Sequence, residues 1–306
     1  MGAAAEHIDV AVVGGGPAGL QAALVLARTR KDVVVFDAPA PPRNAASHGV
    51  HNYLGLDDLL PSEIRERSWA QIHRYGTARL VGEEVVDMDR AGSGDLVVRT
   101  DAGRAFQARH ALLACGYHDH HPDIDGFAEC WADTIIPCPF CDGYENRDRA
   151  WGIVPSMAAE LDVFPAMVRN WTDERMVIAP RSVEVSPARR AALGDLGVPL
   201  HVGDIVGLDH LDGKVSGVRL DSGERIAVET LLWTPDEEPT PLILRLAEGL
   251  GLELDENGHV AADDAQHTNV DRLWAAGDVQ GWMGAIESAT LGGMAAFTMV
   301  KDWYSP

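Results

Sequence analysis

The chain has 306 residues, about twice a common domain size, so two domains with ordinary cores are expected. A composition of 46% hydrophobic and 24% charged residues is that of a soluble globular protein and excludes disordered and fibrous classes. A formal charge of −22 gives an acidic field that opposes binding to nucleic acid or to an anionic membrane, and reads otherwise as a solvated surface.

Met1 to Asp9 have no basic n-region, and Val10 to Val13 run into glycines instead of a cleavage site, so no signal peptide is read. No apolar run approaches the roughly 20 residues needed to span a bilayer, and a cytoplasmic location is expected. Ile8 to Val13 then form an apolar, β-branched strand that leads into Gly14-Gly15-Gly16-Pro17-Ala18-Gly19 and the helical pattern Leu20, Ala23, Leu24, Ala27. In such a strand–turn–helix Gly14 permits the turn, Gly16 lets the backbone approach a pyrophosphate and Gly19 lets the helix pack closely, while the helix N-terminus attracts phosphate. A second strand, Val33 to Phe36, ends at Asp37, placed to accept hydrogen bonds from a ribose. This is a dinucleotide site, and the motif leaves FAD and NAD both open. Arg43-Asn44 and His51-Asn52-Tyr53-Leu54-Gly55 follow as polar loop segments.

The four cysteines make no disulfide scaffold in a chain this long. Cys138-Pro139-Phe140-Cys141-Asp142-Gly143-Tyr144 contains a Cys-x-x-Cys pair, which can close a disulfide and often has one thiol of lowered pKa. Zinc is the competing reading. It needs a second ligand pair, whereas Cys115 and Cys130 are isolated and read as small buried hydrophobes, and His118, His120 and His121 read as a solvated loop. Asp142 stands before Gly143, where it can be an acid/base or a turn residue.

Beyond the cysteines the strand Ile153-Val154, an apolar helical face from Leu161 to Val168 and the strand Met176 to Ile178 suggest a second nucleotide-binding unit. Its turn reads Pro155-Ser156-Met157-Ala158. Proline removes a backbone donor, and side chains stand where a pyrophosphate needs close backbone approach. Arg181 alone is left as a fork for a 2′-phosphate, and it reads more simply as a surface charge. The last motif, Thr268 to Val279, reads TNVDRLWAAGDV and continues through Ala285-Ile286 to Ala296.

The glycine turn, the cysteine heptad and the segment from Ala275 to Val279 together resemble the thioredoxin reductase-like flavoproteins. The resemblance implies an α/β protein of two Rossmann-like domains, with an FAD domain (1–114 and 239–306) interrupted by a central domain (115–238) that carries the cysteines. It implies FAD as cofactor, with Gly14, Gly16, Gly19, Asp37, Arg43, Gly277, Asp278, Ala285 and Ile286 around it. Asp278 then meets the ribityl chain and Asn52 the flavin. It further implies Cys141 as the flavin-proximal sulfur, Cys138 as the thiol that meets substrate, Asp142 as the acid/base, and a homodimer.

The family's second glycine cradle is missing, and Met283-Gly284 stand where the family has an Arg-Gln pair. That combination resembles the family's dithiol oxidases, which close disulfides in natural products such as dithiolopyrrolones and epipolythiodioxopiperazines, with dioxygen as electron acceptor. The expected function is therefore oxidation of a small-molecule dithiol. An NADPH-dependent disulfide reductase is the alternative, followed by a flavin-bound redox sensor.

Overall fold

A computed structural model describes residues 5–304, so Met1–Ala4 of the segment read for targeting lie outside the described residues. The chain divides into two compact units. One comprises 5–45, Tyr53–His118 and 238–304; the other comprises Ala46–Asn52 and Asp119–Glu237.

The first unit is built on a seven-stranded sheet. The strand Glu6–Val13 pairs in parallel with Val33–Phe36 on one side and Ala105–Leu113 on the other, with Val13 opposite both Phe36 and Leu113. Ala78–Val81 extends the sheet beyond Val33–Phe36, and Leu273–Ala275 joins Ala105–Leu113, both in parallel. The strands Leu96–Thr100 and Val85–Arg90 complete it in antiparallel fashion.

Apolar residues run almost without interruption along the parallel strands because both sheet faces are covered. Ile8, Ala11 and Val13 face one core with the helix Pro241–Leu250. Val10 and Val12 face another with the helices Pro17–Arg28 and Ala285–Asp302. Those two helices meet closely at Gly292, where an added Cβ would stand 2.0 Å from the carbonyl oxygen of Ala18.

The second unit carries a five-stranded parallel sheet, in the order Leu200–Val202, Arg175–Ala179, Trp151–Val154, Thr230–Trp233 and Ile135–Ile136. A three-stranded antiparallel sheet, Ile205–Leu211, Lys214–Leu220 and Arg225–Ile226, packs its buried residues into the same core as Phe127 and Ile135.

Two expectations change here. The helix expected from Leu161 to Val168 is broken into a 3₁₀ turn, Ala158–Asp162, one α-helical turn, Phe164–Met167, and a second 3₁₀ turn, Val168–Asn170. Pro165 has no N–H to continue a helix from the preceding turn and sits at the start of a new one. The histidine run, expected as a loop, lies largely on a strand, Tyr117–His120, which forms a two-stranded sheet with Asp236–Pro239. Tyr117 is buried while His118 and His120 are exposed, the alternation of a half-buried strand, and His121 packs its ring against Phe127 and Trp131. Among the described residues no helix is long and apolar enough to cross a membrane.

Candidate functional site

The chemistry-bearing residues form two constellations, one in each unit. In the first unit the strand Glu6–Val13 ends at Gly14, whose φ of +108° favours glycine and whose N–H donates to Phe36 O at 2.7 Å. The glycines that follow have separable tasks. A Cβ on Gly19 would lie 1.9 Å from Gly14 O, so the first helical turn sits directly on the loop. A Cβ on Gly16 would meet nothing within 4 Å. Gly16 also caps the helix Pro17–Arg28 without any side-chain hydrogen bond. The space beside Gly16 is therefore open in front of a 12-residue helix N-terminus, the arrangement that receives a pyrophosphate.

Gly15 carries a constraint not visible in the motif. Its N–H donates to Asp37 Oδ1 at 3.1 Å, and a Cβ there would stand 2.6 Å from the Asp37 carboxyl carbon. Arg65, on the helix Pro61–His73, bonds the other Asp37 oxygen, so the carboxylate is held at the mouth of the glycine turn from two sides.

At the far end of the chain Gly277, with φ +83°, turns the strand Leu273–Ala275 into the 3₁₀ turn Asp278–Gln280. Asp278 Oδ1 accepts from Ser288 Oγ at 2.9 Å and Oδ2 pairs with Arg43 at 3.1 Å. Two candidates from distant parts of the sequence are thereby joined. Ala285 and Ile286 open the long helix Ala285–Asp302, where Glu287 bonds back to the N–H of Gly284 at 3.0 Å. Ile286 stays exposed. Arg65 and Ser288 carry no sequence signal, since each is an ordinary polar residue on a helix. These residues fit FAD: an open phosphate cradle at Gly16, a carboxylate at its mouth in Asp37 and a second carboxylate at Asp278.

In the second unit the strand Ile135–Ile136 runs to Pro137, whose carbonyl accepts from Thr234 Oγ1 at 3.0 Å, and then to Cys138. Cys138 caps the short helix Pro139–Asp142, its Sγ accepting from Cys141 N at 3.2 Å. The two thiols are unbridged; Cys138 is buried and Cys141 half-buried. The Cys141 side chain and the backbone N–H groups of Cys141 and Phe140 hold the Cys138 thiol below its ordinary range, against burial and the Asp142 charge. Burial pushes the Asp142 carboxyl up to about 6; His51 and His48 oppose the rise and Glu145 adds to it. Cys115 and Cys130 are different: burial pushes each thiol up to about 11, leaving them protonated and inert at neutral pH. Cys130 is fully buried, as expected of a small hydrophobe, whereas Cys115 is half-buried.

The helix is pinned by Asn146, which the sequence reading missed. Buried Asn146 donates to the carbonyls of Asp142 at 3.0 Å and Asp133 at 3.1 Å. It accepts from Thr230 at 3.0 Å and takes the Trp151 indole N–H on its own carbonyl at 2.9 Å. Asn146 thus ties the cysteine turn to two central strands, through its side chain to Thr230 and through its backbone carbonyl to Trp151. Asn52, with φ +60°, donates to Phe140 O at 2.6 Å, so it grips the backbone between the two cysteines.

The turn after Trp151–Val154 holds no open cradle of the Gly16 kind. Ser156 N and Ser156 Oγ bind the two carboxylate oxygens of Glu160, at 2.8 and 3.0 Å. Both Ser156 donors are thus taken by a carboxylate of the same chain. Arg181 makes a fork to Asp221 at 2.9 and 3.2 Å and so is already matched to a carboxylate. Among the described residues, no group of three or more His, Cys, Asp and Glu side chains converges as metal ligands would.

The pyridine nucleotide-disulphide oxidoreductase family model matches residues 8–154 and 173–296. The chain is 29% identical to thioredoxin reductase tcpT of Claviceps purpurea, over 96% of this chain and 93% of that one. It is also 29% identical to thioredoxin reductase sirT of Leptosphaeria maculans, over 88% and 86% respectively. Among solved structures, HlmI superposes with a TM-score of 0.88 at 33% identity, covering 99% of this chain and 95% of HlmI. The putative thioredoxin reductase TrxB of Bacillus anthracis gives a TM-score of 0.87 at 28% identity, covering 97% and 98%. The chain belongs to the pyridine nucleotide-disulphide oxidoreductase family, as a thioredoxin reductase-like flavin oxidoreductase whose cofactor is FAD.

Proposed function

We propose that the protein is an FAD-dependent dithiol oxidase that closes an intramolecular disulfide in a small-molecule dithiol. The observation that carries this reading is the Glu160 carboxylate seated on the donors of Ser156. A carboxylate there repels a nucleotide phosphate and occupies its hydrogen bonds, Pro155 contributes no N–H, and Arg181 is committed to Asp221. On this reading the electrons come from a thiol substrate instead of a nicotinamide.

On this reading the FAD-binding domain spans 1–114 and 239–306, and the central domain spans 115–238. Cys138 and Cys141 begin the cycle as a disulfide. A substrate thiolate attacks the sulfur of Cys138, releasing Cys141 as thiolate, and the second substrate thiol attacks the mixed disulfide to release Cys138 and the cyclic product. Asp142 accepts the proton of the attacking thiol. FAD, held by the Gly14–Gly19 turn and the Asp278 segment, would supply a two-electron acceptor for the Cys138–Cys141 dithiol, with dioxygen as terminal acceptor and hydrogen peroxide as product. Cys138 is the more buried sulfur, so the attack requires opening around the cysteine turn. The reading includes a homodimer and a cytoplasmic location, where the thiols Cys115 and Cys130 stay reduced.

The test is anaerobic. A small dithiol should bleach the oxidised flavin band, and air should restore it with one peroxide formed per turnover. NADPH should leave the band in place, and rapid bleaching by NADPH would make the protein a disulfide reductase. Cys138→Ser and Cys141→Ser should each abolish dithiol turnover with FAD retained.

A further inference from the structure

The segment Ala46–Asn52 lies in the same compact unit as the cysteine turn, although about 85 residues of sequence separate them. Two contacts seat it. Asn52 Nδ2 donates to Phe140 O, two residues before Asp142, and His51 Nε2 stands 3.8 Å from Glu145 Oε2, three residues after Asp142. Asp142 is bracketed by these contacts. The His51 side chain is only 16% exposed, so a proton on it would be poorly screened, while Glu145 is 45% exposed. The charged groups that act on the Asp142 carboxyl are His51 and His48 from this segment, which favour its anion, and Glu145 from the turn that follows its own helix, which opposes it. The run His118, His120 and His121 lies elsewhere, on and just beyond the strand Tyr117–His120.

We propose that His51 is the positioning residue that keeps the Asp142 carboxylate ionised for its work on the Cys138–Cys141 pair, with Glu145 orienting the imidazole and opposing its charge. Protonated His51 presents a positive charge to a carboxyl group in a low-dielectric setting, which favours the anion. Only a proton is exchanged, between Asp142 and the attacking thiol; no electron passes through His51. The inference rests on Asp142 serving the cysteine pair, and is independent of whether electrons flow from a dithiol to FAD or in the other direction.

Two readouts on the holoprotein test it. The first is the titration of the Asp142 carboxyl carbon by NMR in protein labelled with 13C-aspartate, the signal being assigned by its loss in Asp142→Asn. The second is the pH dependence of flavin bleaching by a small dithiol. His51→Gln should move the Asp142 midpoint, and the acid limb of bleaching with it, to higher pH by about half a unit to one unit. His51→Lys, which keeps a positive charge, should return both toward the native position, and Glu145→Gln should move them to lower pH. An unchanged midpoint in His51→Gln, or a shift of equal size in His51→Lys, overturns the proposal. If the native protein is not bleached by dithiols, the oxidase reading fails and the NMR titration still decides the role of His51.

Discussion

Gly16 and Gly19 occupy one glycine turn, and their surroundings predict opposite consequences for the same substitution. In Gly16→Ala the new methyl group meets nothing within 4 Å, and the native backbone, φ −78° and ψ −175°, suits any L-residue. The fold loses only the difference between glycine and alanine as a helix cap, about 1 kcal/mol or less. The methyl group does occupy the space into which a pyrophosphate must come, and losing one close charge-assisted hydrogen bond costs about 1.5–3 kcal/mol. FAD affinity should therefore fall roughly 10- to 100-fold. In Gly19→Ala the methyl group would lie 1.9 Å from Gly14 O, a backbone atom fixed by the turn. Overpacking of that kind costs about 1–3 kcal/mol or more, which exceeds the gain in helix propensity of up to about 1 kcal/mol. The assay is a pair of measurements on the FAD-stripped protein: thermal unfolding, and quenching of flavin fluorescence on titration with FAD. Gly16→Ala should melt close to the native protein and bind FAD poorly, while Gly19→Ala should melt several degrees lower. If Gly16→Ala bound FAD with native affinity, the open space beside Gly16 would not be the phosphate cradle and the assignment of the first site would fail.

Two further outcomes follow from the carboxylates. Asp142 has its carboxyl raised to about 6 by burial, above the ordinary 3.8, so in the folded state it binds a proton that the unfolded chain releases. The stability it contributes is full below about pH 4 and is lost as pH rises through about 6. Asp142→Asn should therefore stabilise the protein above pH 7 by about 1–3 kcal/mol while abolishing dithiol turnover; melts at pH 5 and pH 8 check the sign, which the opposite pH trend would reverse. Ser288→Ala removes the hydroxyl that donates to Asp278 at 2.9 Å. FAD affinity should fall about 3- to 10-fold with little change in the apo melt, measured by the same fluorescence titration.

Much of this protein can be read along the chain because its local signals are physically obligatory. A parallel strand buried on both faces has to be apolar, which makes Val10–Val13 and Val33–Phe36 visible, and the turn between strand and helix has to be glycine where φ is +108° or where a Cβ would lie 1.9 Å from a carbonyl oxygen. A Cys-x-x-Cys pair is likewise local, because two residues bring its sulfurs within reach of each other. The loss of the second cradle is legible in Pro155 and Met157 for the same reason. Breaking of the helix expected from Leu161 to Val168 was less visible, since its apolar spacing suits an α-helix and a 3₁₀ turn nearly equally; Pro165 set the break.

Only the tertiary structure decided which charges meet. Arg43 and Asp278 are 235 positions apart and form one ion pair, and Asp37 is shared between Gly15 and Arg65. Asn146 became the anchor of the cysteine turn because a strand 84 positions away brings Thr230 to its side chain, beside the local bond from Trp151 to its carbonyl. Glu160 fills the donors of Ser156 because a 3₁₀ turn aims its carboxylate back at the loop, a direction no spacing rule contains. The histidines that face Asp142 come from Ala46–Asn52, far upstream of the nearby run His118–His121 that drew attention in the sequence. Electrostatic coupling depends on distance and burial in space, and a sequence states neither.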